Sequence, residues 1–78
     1  MEKDTKVNKT LDIKGLSGQR PAEVTKDILN GMATGQVLRV ISDDSATRQY
    51  FPLLCENFGF QLLSIEEDRG IFCFTIMK

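Results

Sequence analysis

Short apolar runs alternate along this chain with polar, glycine-marked breaks, and the period of each run predicts its element. Thr10, Leu11, Asp12 and Ile13, with Val7 before them, carry a strand-type pattern and predict a first strand over 7–13. Gly15 to Arg20 reads as a loop with two glycines, and Pro21 suits the first turn of a helix. Val24, Ile28 and Met32 then recur every fourth residue with Leu29 beside them, which predicts a helix of about three turns capped at Gly35. Gln36 to Ser42 holds Val37, Leu38, Val40 and Ile41 and predicts a second strand, buried on at least one face; Asp43-Asp44-Ser45 marks a turn. The stretch 44–58 has a helical pattern, but Pro52 would remove a hydrogen bond from a regular helix. The expectation is therefore a short turn over 44–49 and a helix starting at about 50–52. Its apolar residues would be Phe51, Leu54, Cys55 and Phe58, and Gly59 would end it. Phe60–Glu67 and Ile71–Met77 predict two strands joined by a tight hairpin at Asp68-Arg69-Gly70.

The resulting order is βαβαββ in one domain of 78 residues, with 1–6 a flexible lead-in. Strands joined through a helix are parallel with a right-handed crossover, and a hairpin pair is antiparallel. The predicted fold class is an α/β (α+β) two-layer sandwich, a four-stranded mixed sheet with two helices on one face. If Phe72, Phe74 and Ile76 face those helices, Ile71, Cys73, Thr75 and Met77 share the opposite, water-facing side. A contiguous weakly polar face of this kind marks a partner or self-association site. Simple tolerance of scattered apolar side chains is the alternative.

Composition narrows the function classes. Hydrophobic residues at 41% and charged residues at 27% suit a globular domain, with five Phe and one Tyr to anchor its core. The net charge of −1 lacks the positive footprint of a nucleic-acid binder. Lys3, Lys6, Lys9 and Lys14 read as solvated lysines on a chain end and an edge strand. The charged start and the lack of any run near ~20 apolar residues predict a cytoplasmic protein without a membrane segment. There is no His, and Cys55 and Cys73 are the only cysteines, so free thiols are expected, with no metal and no cofactor. Asp43-Asp44 and Glu66-Glu67-Asp68 read as solvated turns, since adjacent carboxylates alone make a poor cation cage.

Leu11-Asp12-Ile13-Lys14-Gly15-Leu16 resembles the opening of the TusA/SirA-like sulfur-relay family, written L-D-x-R-G-L-x-C-P-x-P. The resemblance runs through Met32, Gly35, Asp43-Asp44 with Ala46-Thr47, and Phe51-Pro52. It continues through Gly59, Leu62-Leu63 and Glu66-Glu67 to Phe72-x-Phe74-x-Ile76-x-Lys78. It thus covers 11–78. Such proteins are small sulfur carriers: a cysteine at the start of the first helix accepts a persulfide sulfur and passes it on. A helix start lowers a thiol's pKa, because its free N–H groups and dipole favour the thiolate.

Laid on that pattern, Gly18 occupies the cysteine position and Gln19 the first proline position, while Pro21 keeps the second proline. Lys14 replaces the arginine, keeping charge but losing the planar fork. Glycine cannot accept sulfur, and the oxygen of Ser17 cannot form a persulfide. The resemblance therefore implies a non-catalytic interaction or regulatory module for a protein partner of sulfur or redox metabolism. Its binding residues would be Lys14, Gly15, Ser17, Gly18, Gln19, Arg20 and Pro21, where an anion or acidic segment could dock. The alternative is a sulfurtransferase-type carrier that uses Cys73 or Cys55. Nucleic-acid binding is a weaker alternative, resting on fold analogy alone.

Overall fold

The computed structural model describes residues 6–78. It contains β1 (Lys9–Asp12), α1 (Arg20–Asn30), β2 (Val37–Ser42), α2 (Thr47–Phe58), β3 (Gln61–Asp68) and β4 (Ile71–Met77). The βαβαββ order is as expected. The lead-in, apart from Lys6, lies outside the described residues, and so does Lys3.

The strands form one sheet in the order β1-β2-β4-β3. β1 and β2 are parallel, and β4 runs antiparallel to both β2 and β3. Alternation sorts each strand into two faces. Leu38 pairs with Ile76 and Val40 with Phe74, and all four are fully buried on the side covered by the helices. Leu29 of α1 and Phe51 and Cys55 of α2 complete this core. The Phe51 ring lies 4.5 Å from Phe74, centroid to centroid, and ties α2 to the middle of the sheet. The hairpin between β3 and β4 has a two-residue loop, Arg69-Gly70, with φ of 55° and 80°. Two positive values in succession match the twist of the flanking strands, which is why a glycine stands there. β3 is an edge strand, and it carries a register shift between Leu62 and Ser64 as well as three consecutive acids, both of which oppose edge-to-edge pairing.

Four local expectations need correction. The expected strand over 7–13 is shorter, Lys9–Asp12, although Asn8 and Ile13 still donate N–H bonds to Val37 and Ile41 of β2. α1 ends at Asn30, and Gly31 rather than Gly35 caps it; the Gly31 N–H points back to the Asp27 and Ile28 carbonyls. The buried stripe of α1 is Pro21-Thr25-Leu29, with Val24 and Ile28 half-buried beside it and Met32 buried beyond the helix end. Counting only apolar residues picks the flank of this arc, because its centre holds a proline and a threonine.

α2 starts at Thr47, not at 50–52, and contains Pro52. Its first turn is tight: Thr47, Arg48 and Gln49 donate to carbonyls three residues back at 3.0–3.3 Å. Asp44 anchors that turn, accepting the Ala46 N–H at its carboxylate and the Thr47 hydroxyl at its carbonyl. Pro52 deprives the Arg48 carbonyl of its helical partner, and Arg48 is exposed, so water can satisfy that oxygen.

The Thr25 hydroxyl is buried without a hydrogen-bond partner among the described residues. Leaving such a group unsatisfied costs about 1–3 kcal/mol. Thr25→Val is therefore expected to raise stability by about 1–2 kcal/mol in urea unfolding. A loss of stability would mean that the hydroxyl has a partner.

Candidate functional site

The loop from β1 to α1 is held from below by the end of the neighbouring parallel strand. Asp43, just past β2, accepts the Gly15 N–H at 3.0 Å, and Asp12 accepts the Lys14 N–H at 3.0 Å. Leu16 donates to the Ile13 carbonyl at 3.1 Å. The chain then presents Ser17, Gly18, Gln19 and Arg20, all exposed, before α1 begins without a side-chain cap. Gly18 has φ 67°, in the left-handed region, and a Cβ added there would touch nothing within 4 Å. A side chain at this position would thus be strained by conformation, not by crowding. The Tyr50 hydroxyl of α2 donates to the Gly18 carbonyl at 3.3 Å, fixing the loop against the second helix.

The residues expected to bind are thus brought together on one exposed loop, with one exception. Pro21 is fully buried in the inward face of α1 and can only position the loop. The two cations of the set face carboxylates: Lys14 lies 3.7 Å from Asp12 and Arg20 lies 3.7 Å from Glu23. Both pairs are exposed and contribute little to stability.

Beside Gly18 opens a groove of about 350 Å³ between the helices. Ala22 and Lys26 of α1 form one wall, and Tyr50, Leu54 and Phe58 of α2 form the other. Of the apolar residues expected on this helix, Phe51 and Cys55 are buried, whereas Leu54 is half-buried and Phe58 is 53% exposed. The reason lies in a double stripe on α2. Thr47, Phe51 and Cys55 recur every fourth residue and are buried, while Tyr50, Leu54 and Phe58 recur in the same way one position earlier and line the groove. That second stripe was present in the sequence and could have pointed to the groove. Lys26 Nζ sits 4.9 Å from the Phe58 ring centroid, so the groove's far end joins an aromatic face to a positive charge.

The thiols lie elsewhere. Cys55 is 2% exposed in the core, and burial pushes its pKa up to about 11. Cys73 is half-buried on the sheet face away from the helices. Burial raises its pKa, Arg39 lowers it in part, and Glu66 raises it again. Neither cysteine stands at a helix start, and burial disfavours the thiolate at both. On the same outer face Ile71 is exposed and Met77 half-buried, but Thr75 is only 7% exposed and is not offered to solvent. It stands in an inner strand, flanked by Arg39 and Ser64. Two acids of the hairpin stand beside cations at the surface: Glu67 pairs with Arg48 at 3.1 Å, and Asp68 lies 3.7 Å from Arg69.

Fold and loop together define a two-layer α/β domain whose candidate site is a glycine-bearing helix entry opening onto an apolar groove. Residues 9–78 match the family model described as sulfurtransferase TusA. The sulfur carrier protein TusA of Pseudomonas putida is 35% identical over 68 residues, covering 87% of this chain and 85% of the relative. That of Allochromatium vinosum is 37% identical over 68 residues, covering 87% and 90%. The crystal structure of a SirA-like protein from Desulfitobacterium hafniense superposes with a TM-score of 0.77 at 28% identity, over 88% of this chain and 95% of that one. The chain belongs to the TusA family. Among the described residues, no helix is long and apolar enough to cross a membrane.

Proposed function

We propose that this chain is a TusA-family domain that does not carry sulfur and acts as a protein-interaction or regulatory module of a sulfur-transfer or redox pathway in the cytoplasm. One observation carries this reading. Gly18, which the family pattern aligns with the sulfur-bearing cysteine, stands at the exposed entry to α1 in a left-handed conformation suited to glycine. The scaffold around it is well defined: the tied loop, the helix start and the adjoining groove. A partner that recognises this surface on a sulfur-carrying relative could recognise it here, with no sulfur passing. The docking surface is the run Lys14 to Arg20 together with the groove wall of Tyr50, Leu54 and Phe58.

The second reading, a carrier working through Cys73, has in its favour the nearby guanidinium of Arg39, which favours the thiolate. Burial and Glu66 act against it. Cys55 has burial alone acting on it, in the wrong direction.

Intact-mass measurement after incubation with a protein persulfide donor separates the two. In transfer, an acceptor thiolate attacks the outer sulfur of the donor's R–S–SH. The donor S–S bond breaks, the donor leaves as a thiolate, and the acceptor becomes a persulfide. The expected result is an unchanged mass for this chain. A gain of one sulfur that disappears in Cys73→Ser would establish the carrier reading instead.

A further inference from the structure

The groove beside Gly18 runs between two helices that point the same way. Gly18 meets Tyr50 at one end and Lys26 meets Phe58 at the other, so α1 and α2 advance together over about two turns, ~12 Å. Tyr50, Leu54 and Phe58 give the α2 wall its apolar character. The α1 wall holds two charges. Glu23 lies 3.7 Å from Arg20 and is offset by it. Lys26 is half-buried over the Phe58 ring, and among the described residues no carboxylate stands within ion-pairing distance of it. The groove is therefore apolar along its length and positive at its Phe58 end.

We propose that this groove takes a helix of a partner protein that has an apolar face and a carboxylate in its first turn. The helix is the partner's element for the docking surface proposed above, and its assignment rests on that reading. The walls decide that the occupant is helical. From Ala22 to Lys26 and from Tyr50 to Phe58 the groove is lined by helix, whose backbone groups bond within each helix. An extended segment would lay unpaired N–H and C=O groups against apolar side chains, whereas a helix satisfies its own. Two apolar side chains one turn apart on the incoming helix match the one-turn spacing of Tyr50, Leu54 and Phe58. Charge decides the direction. A helix antiparallel to α1 and α2 sets its dipole against theirs and brings its first turn to the Phe58 end. A carboxylate in that turn is favoured by its own helix and meets Lys26. A basic helix would bring like charge to the same place and is rejected.

The experiment selects binders from a phage library that varies the exposed face of a helix of about four turns, ~14 residues, carried on a stable helical scaffold. Binders to the wild-type chain are counter-selected against Leu54→Asp. Those that survive are expected to carry two apolar residues one turn apart, with Asp or Glu a turn before them. Lys26→Glu should weaken a selected helix about tenfold, and exchanging the acid of that helix for Lys should restore its binding to Lys26→Glu. Should circular dichroism show Leu54→Asp unfolded, Phe58→Ala, at an exposed position, takes its place. Survivors without an acid, survivors indifferent to Lys26→Glu, or no survivors at all would overturn the proposal. So would light scattering that shows the free chain as a dimer dissolved by Leu54→Asp, which would give the groove to a second copy. The docking reading fails separately, by sulfur gain at Cys73. Binders that hold only to the loop from Lys14 to Arg20 would leave that reading standing and overturn the helix.

Discussion

Phe74→Ala is expected to remove about 3–5 kcal/mol of the fold's stability, the largest loss from any single truncation considered. Phe74 is fully buried on β4, which pairs on both sides, and its ring meets Phe51 at 4.5 Å. Truncating a buried Phe costs about 3–5 kcal/mol, from lost burial and from the cavity left behind. A domain of this length has roughly 4–12 kcal/mol in total at typical values per residue, so the change removes a large share of it. Thermal or urea unfolding followed by circular dichroism reads the effect directly. Leu53→Ala is the matched control. Leu53 is 57% exposed on α2, and its loss should shift stability by no more than about 0.5 kcal/mol. Equal effects from the two changes would contradict the assignment of the core.

Gly18→Cys, made in a Cys73→Ser background, should change sulfur uptake from none to about one atom per chain. The helix start beside position 18 favours a thiolate, and the loop around it is open to a donor. The gain has a cost in stability. With φ at 67° at Gly18, a side chain of any kind is strained, and about 1–3 kcal/mol should be lost. Gly18→Ala should show the same loss with no uptake, which separates the chemistry from the strain. Uptake and unfolding are read on the same samples, by intact mass and by urea titration. If the Gly18→Cys chain folds and still takes no sulfur, Gly18 is not the position at which the family bears its cysteine.

The candidate loop was legible residue by residue, because the family pattern is a local string and Gly18, Gln19 and Arg20 fall in it consecutively. The structure changed the role of one member. Pro21 matches the pattern as well as its neighbours do, yet it faces inward, since a residue's side of a helix depends on where that helix packs. The groove was not read. Tyr50, Leu54 and Phe58 form a visible stripe, but α2 carries two overlapping stripes, and only contact with the sheet decides which one is buried. The start of α2 was misplaced for a related reason. Pro52 argues against a helix locally, and the tight turn anchored by Asp44, together with packing of Phe51 on Phe74, outweighs it.

The sequence by itself determined the element order, the hairpin at Arg69-Gly70, the alternation that buries Phe72, Phe74 and Ile76, and the lack of a thiol in the motif loop. These are properties of residue type and short-range spacing, which backbone sterics and side-chain period fix without reference to distant parts of the chain. Only the tertiary structure decided that β4 lies between β2 and β3, and hence that Arg39 and Glu66 flank Cys73. It alone set Tyr50 against Gly18 and opened the groove between the helices. Such pairings join residues far apart in the chain, and they are selected by how the apolar faces of whole elements fit together, a condition that no local window contains.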